Sequence, residues 1–134
     1  MSHPVSYVEI NSPDPAASHK FFASVFGWQL QPFATPDYLV APHGDVPGVD
    51  TGLMKSMDGQ PRTIPVIRIG DLTAATALVI QHGGQVVMEP FAIAGVGRGC
   101  YVLDPTGVLL GLHAYDADAD AEAEAEAQAE AEAE

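Results

Sequence analysis

The chain contains two copies of one sequence pattern. Residues 7–27 read YVEINSPDPAASHKFFASVFG, and residues 64–84 read IPVIRIGDLTAATALVIQHGG. Each copy has a short apolar strand, an Asp that can begin a helix, an Ala-rich segment and a final Gly, 57 positions apart without a gap. Further along, Tyr38 in YLVAPHG is repeated as Tyr101 in YVLDPTG. The repeat predicts two similar modules, and small molecules commonly bind in clefts between modules.

The first copy predicts a βαβββ module. A strand over 5–10 leads to a helix with Asp14 as N-cap, Pro15 as first residue and Gly27 as C-terminal stop. Three strands follow, over 28–33, 38–41 and 49–55. Apolar side chains at helical spacing predict the buried face of the helix. They are Ala17, Phe21, Phe22, Val25 and Phe26.

The second copy predicts the same order of elements. Its strands are expected over 63–69, 85–89, 99–103 and 108–114, with a helix over 71–82. The inward positions of that helix are Leu72, Ala75, Leu78 and Val79. The glycine-rich sequence GVGRG at 95–99 is expected to be a loop, and MDGQPR at 57–62 to be the linker between modules. Together these elements predict a single α+β domain over 1–115, built of modules 1–56 and 63–115.

Composition limits the class of protein. Nine of the 18 acidic residues lie in 116–134, where Ala alternates with Asp, Glu or one Gln. The remaining body has nine acidic residues against five Lys and Arg, so it lacks the basic surface that nucleic-acid binding requires. No apolar run is long enough to span a bilayer, and the single Cys and the absence of a signal sequence indicate the cytoplasm. The segment 116–134 is expected to be an acidic low-complexity tail without a face to pack.

The sequence resembles the vicinal oxygen chelate superfamily, which includes glyoxalase I, bleomycin-resistance proteins and extradiol dioxygenases. Four segments carry the resemblance: YVEINSPDPAASHKFFASVFGW, VIRIGDLTAATALVIQHGG, GVGRGCYVLDPTG and VLLGLHA. The resemblance implies paired βαβββ modules that form a U-shaped or half-barrel, glyoxalase-like cavity. It also implies a homodimer, because relatives often pair two chains.

In the metal-dependent members of this superfamily, four His or Glu ligands line the cavity. The matching positions in this sequence are Tyr7, Gly52, Ile64 and Gly111. None of these is a His, Glu or Asp, and a tyrosine with a reference pKa of about 10 is a weak ligand at neutral pH. We therefore expect no cofactor at this site, although a divalent metal held by other residues stays open.

Polar side chains on the faces expected to line the cavity are candidates for ligand binding. Glu9 follows Tyr7 on the same side of its strand and could act as a base or bind a cation. Arg68 would select an anionic group such as a carboxylate. His113, two residues past Gly111, could serve as an acid, a base or a metal ligand. Each of these side chains could instead have a structural role.

Other candidates would shape the cavity. Tyr38 and Tyr101 occupy equivalent positions and would present phenol groups or pack in the sheet, while Met54, Ile64 and Val66 would supply an apolar lining. Such a cavity suits an amphipathic small molecule with one anionic or hydroxyl group. Cys100 is expected to be a buried, unreactive thiol.

Three functions fit these observations. The first is a protein that binds or sequesters a small molecule without a metal, as the bleomycin-resistance branch does. The second is a metal-dependent lyase or isomerase of the glyoxalase type, with atypical ligands such as Glu9 and His113. The third is an interaction protein in which the acidic tail is the working part. The sequence assigns no catalytic residue.

Overall fold

The computed structural model describes residues 2–33, 35–93 and 97–115. These residues form an α+β fold in which the order βαβββ occurs twice, and this confirms the predicted fold class. The expected tail at 116–134 lies outside the described residues. The elements are β1 (Val5–Ser12), α1 (Pro15–Phe26), β2 (Gln31–Phe33), β3 (Thr35–Ala41), β4 (Asp50–Lys55), β5 (Arg62–Arg68), α2 (Leu72–Gln81), β6 (Gln85–Ile93), β7 (Gly97–Leu103) and β8 (Leu109–Ala114).

The chain divides into two compact units. The first unit is Val5–Val66, and the second comprises the described residues before Val5 and those from Ile67 onward. The boundary falls inside β5, a few residues after the expected linker at 57–62. Arg62, which the sequence placed in that linker, begins β5. In the described part of the chain, neither helix is long and apolar enough to cross a lipid bilayer.

The strands of the first unit follow the order β2-β3-β4-β1-β5. β1 runs parallel to β4 and places Glu9 beside Gly52, while β3 is antiparallel to β4 and places Val40 beside the same glycine. On the side of α1, Leu53 is almost fully buried. The core around it contains Leu30 and Ala41, with Ile10, Phe22, Trp28 and Leu39 packed against them.

Helix α1 begins and ends where the sequence predicted. The Asp14 carboxylate accepts a hydrogen bond from the Ala17 amide at 3.2 Å, which satisfies one of the amides left free at a helix start. Gly27 ends the helix with a φ of 72°, a left-handed conformation that favours glycine. The sequence signals for the two ends are therefore confirmed.

The predicted buried face of α1 is wrong in part. Phe21, Val25 and Phe26 are 57%, 56% and 57% exposed, and Ala17 is exposed as well. The helix is instead oriented by Ser18, whose hydroxyl lies 2.6 Å from that of Ser12 at the end of β1. Phe22 lies one turn after Ser18 and packs against the core, so the other apolar residues project outward.

In the second unit, the antiparallel strands β8, β7 and β6 are neighbours in that order. The Asp71 carboxylate accepts a hydrogen bond from the Ala74 amide at 3.1 Å and begins α2. Leu72 is buried, and Ala75 and Val79 pack against the core, as predicted. Leu78 was expected in that core but is exposed. The buried residues are Ile69, Leu72, Cys100, Val102, Leu112 and Ala114.

Two sequence expectations in the second unit need correction. Gly97, Arg98 and Gly99 belong to β7, so the GVGRG sequence is not wholly a loop. A side chain at Gly97 would collide with the backbone of Ala114 and Tyr115, because β8 lies close alongside. β6 is also longer than expected, since it continues to Ile93.

Candidate functional site

One face of the first unit's sheet carries polar and aromatic side chains. Side chains alternate along β1, so Ile10 packs with the core beneath α1 while Tyr7 and Glu9 lie on the opposite face. Glu9 is only 7% exposed, which is unusual for a carboxylate. The Asn11 side chain donates a hydrogen bond to Glu9 Oε2 at 3.1 Å. The face opposite α1 therefore holds a buried, hydrogen-bonded acid.

Two tyrosines meet on this face. The hydroxyl groups of Tyr7 in β1 and Tyr38 in β3 share a hydrogen bond across β4, although the residues are 31 positions apart. Gly52 of β4 lies directly under the pair. A Cβ added at Gly52 would collide with both hydroxyl oxygens and would lie 2.8 Å from Tyr38 Cζ. The two phenols occupy the space that a side chain at position 52 would need.

The environment keeps both phenols protonated. Burial raises the pKa of Tyr38 to about 12, and the negative charge of Glu9 acts in the same direction. Burial also raises the pKa of Tyr7 far above its usual range, as do its hydrogen bond to Tyr38 and the charges of Glu9 and Asp50. At neutral pH the pair is therefore an uncharged hydrogen-bonding group beside carboxylates.

Three predicted apolar lining residues lie in the first unit. Ile64 in β5 is 3% exposed, and Val66 in the same strand is half-buried. Met54 in β4 is half-buried and lies two residues beyond Gly52, on the same face of the strand. These positions agree with an apolar lining, but their role stays a prediction.

The other predicted site residues lie in the second unit. Arg68 ends β5 and is exposed, and its backbone amide donates to the Pro4 carbonyl at 2.9 Å. Tyr101 and His113 are half-buried, in β7 and β8, and lie opposite Gly111 and Gly99 respectively. The structure thus brings Tyr7, Tyr38 and Glu9 together within one unit, and places Arg68, Tyr101 and His113 in the other.

Sequence reasoning missed two surface cavities. One, of about 330 Å³, lies in the first unit between the end of β1 and α1, and Asn11, Ser12, Ser18 and Phe22 contribute to its lining. The other, of about 280 Å³, lies in the second unit at the start of α2, where Asp71, Arg98 and Tyr115 line it. Neither contains a predicted site residue. The sequence signal for the first cavity was the pair Ser12 and Ser18, the serines before and after the N-cap Asp14.

Comparison with known proteins identifies the family. No protein-family model matches the chain. A protein named as a glyoxylase, CFP32 of Mycobacterium bovis, is 31% identical over 117 residues, covering 80% of this chain and 44% of that protein. The anthracycline biosynthesis protein DauV of Streptomyces sp. strain C5 is 29% identical over 127 residues, covering 76% of this chain and 43% of DauV. The chain spans less than half the length of these curated relatives.

A solved structure has the same fold. Methylmalonyl-CoA epimerase from Mycobacterium tuberculosis shares the fold with a TM-score of 0.64 at 19% identity, covering 87% of this chain and 90% of the epimerase. The chain belongs to the vicinal oxygen chelate superfamily. The sequence resemblance is thereby confirmed, and so is the glyoxalase-like fold.

The residues at the four metal-ligand positions of this superfamily do not suit a divalent metal. Gly52 and Gly111 have no donor side chain, and Ile64 is a buried aliphatic residue. Tyr7 holds its proton far above neutral pH, whereas a phenol binds a metal well only as phenolate. Within the described residues, no three His, Cys, Asp or Glu side chains are grouped as a metal site requires. The two phenols occupy the space that a side chain at Gly52, one of these four positions, would need.

Proposed function

We propose that this member of the vicinal oxygen chelate superfamily binds a small amphipathic molecule without using the superfamily's metal site. The observation that carries the proposal is the Tyr7–Tyr38 pair above Gly52. It replaces a charged metal ligand with two neutral phenols. Phenols beside half-buried aliphatic residues offer an apolar surface with a few polar groups, which is typical of small-molecule sites. The buried Glu9 adds a carboxyl group on the same face of β1.

The relatives suggest which molecules to test first. DauV is named for anthracycline biosynthesis, so a polycyclic aromatic compound with carbonyl oxygens is a reasonable ligand class. The solved neighbours include an epimerase in complex with methylmalonyl-CoA, which makes an acyl thioester the second class. Both classes present carbonyl oxygens that accept hydrogen bonds, which the phenols can donate.

Thermal shift with defined probes tests this proposal. A ligand that binds the native state alone stabilises it by RT ln(1 + [L]/Kd), so the melting temperature rises with probe concentration. The probes are a hydroxymethyl-anthraquinone and methylmalonyl-CoA, and calorimetry then measures the Kd. We expect a saturable shift with at least one of them, in the presence of EDTA. The absence of any shift with both probes would contradict the proposal, and so would binding that EDTA abolishes.

Assembly and location are further parts of the proposal. We expect the protein to form a homodimer in solution, as many superfamily members do, and to work in the cytoplasm. Multi-angle light scattering at micromolar concentration would show the mass of a dimer. A mass that matches one chain of 14.0 kDa would contradict the dimer.

A further inference from the structure

The Tyr7–Tyr38 pair has one more proton than its own hydrogen bond uses. Each phenol carries one O–H group, and one of these donates to the other oxygen. Within the residues that the structure describes, neither hydroxyl makes another hydrogen bond. One O–H group is therefore left to donate elsewhere. Because the pair is half-buried, an acceptor that reaches this group would gain a hydrogen bond in a low-dielectric setting.

Either phenol can be the outer donor, because either hydroxyl can donate the shared hydrogen bond. The proton of one phenol then lies between the two oxygens, and the proton of the other points away from the pair. Each tyrosine holds the oxygen of the other in position, because Gly52 leaves room for both rings.

We propose that the Tyr7–Tyr38 pair binds a carbonyl oxygen of the ligand, with one phenol as the donor and the other as the residue that holds the donor in position. This inference rests on the proposed function, and it names the chemical group that the site recognises. In place of a metal ion that binds ligand oxygens, the chain offers a preformed phenol donor. Preorganised donors of this kind recognise carbonyl groups without the cost of ordering a flexible side chain.

A ketone or quinone oxygen suits this donor. Burial raises the pKa of both phenols, so each keeps its proton at neutral pH and the spare O–H group can donate. A carbonyl oxygen accepts such a hydrogen bond without a proton of its own. Arg68, which the sequence suggested for an anionic group, lies in the second unit and is not part of this pair.

Matched ligands and variants test the inference. Hydroxymethyl-anthraquinone has carbonyl oxygens, and hydroxymethyl-anthracene has a similar shape without them. We expect Tyr38→Phe and Tyr7→Phe each to weaken quinone binding: about tenfold for the phenol that donates to the quinone, the effect of losing one neutral hydrogen bond, and about threefold for the phenol that holds it in position. Both variants should bind the anthracene as the wild type does. Infrared spectroscopy should show a lower carbonyl stretching frequency for the bound quinone. Removal of the donating phenol should reverse this shift, and removal of the other phenol should reverse it in part.

Controls separate this inference from the proposed function. Tyr115→Phe removes the hydroxyl of a tyrosine that is 71% exposed, and it should change neither affinity nor carbonyl frequency. Circular dichroism checks that each variant folds. If the wild type binds the quinone and both single variants bind it equally well with the same carbonyl frequency, the inference is wrong and the proposed function stands. If the wild type binds no probe, the proposed function fails and the inference fails with it.

Discussion

The hydroxyl groups of Tyr7 and Tyr38 share a hydrogen bond across β4, directly over Gly52, which has no side chain to separate them. β1 and β3 each pair with β4, and their registers with Gly52 hold the two rings over this glycine. Buried polar groups that satisfy each other specify one arrangement of a sheet face. The same two side chains therefore fix the arrangement of this sheet face and form the proposed ligand site.

The pair should make stability fall at alkaline pH. Unfolded tyrosines ionise near pH 10, whereas folded Tyr38 has its pKa raised to about 12 and that of Tyr7 is raised further. A raised folded pKa gives stability that is present below about pH 10 and is lost as pH rises toward the folded value. Cys100, with its pKa raised to about 11 mainly by burial, acts in the same direction.

Urea unfolding between about pH 8 and pH 12 measures this effect. The double variant Tyr7→Phe with Tyr38→Phe should lose stability less steeply above about pH 10, because it lacks the two phenols whose ionisation favours the unfolded state of the wild type. Parallel pH profiles for the wild type and the double variant would contradict the raised pKa values.

The helix caps should contribute measurably to stability. Asp14 and Asp71 each accept a hydrogen bond from an amide three residues later, in α1 and α2 respectively. Replacing either Asp by Ala should reduce the free energy of unfolding by about 1 kcal/mol, while replacement by Ser should retain most of the cap. Equilibrium urea unfolding checks this. Equal stability of the Ala and Ser variants would show that the caps contribute little.

Much of the fold was predictable because its signals are local. Asp14 and Gly27 act through neighbouring backbone groups, so the sequence placed both ends of α1 correctly. The rotation of α1 depends instead on the contact between Ser12 and Ser18, which are in different elements. Hydrophobicity alone therefore put Phe21 on the wrong side.

The site was only partly predictable. Alternation along β1 correctly placed Tyr7 and Glu9 on one face. Tyr38 was a candidate for a different reason, its repeat at Tyr101, and nothing local indicated a bond to a residue 31 positions away. Gly52 was the missed signal, because a glycine inside a strand often marks the close approach of another group.

Metal analysis tests the chemistry of the four ligand positions. Tyr7, Gly52, Ile64 and Gly111 offer no carboxylate or imidazole, so we expect no stoichiometric divalent metal after dialysis. Elemental analysis of the purified protein, after incubation with zinc, nickel or iron(II), measures this. About one equivalent retained would contradict the prediction and would favour a metal-dependent lyase or isomerase. Glu9 and His113 would then be the first residues to replace.

Gly52→Ala should disrupt the phenol pair. The added Cβ would lie 2.8 Å from Tyr38 Cζ and would also collide with both hydroxyl oxygens, so at least one ring must move. Overpacking of this kind typically costs about 1–3 kcal/mol of stability. Gly70→Ala is the matched control, because a Cβ there meets no atom within 4 Å and Gly70 has no left-handed φ. Urea unfolding of the two variants compares the costs, and the quinone probe compares their binding. We expect Gly52→Ala to lose both stability and quinone affinity, and Gly70→Ala to lose neither. If Gly52→Ala retained wild-type stability, the two phenols would not lie over Gly52 in solution, and the site proposed around them would have no basis.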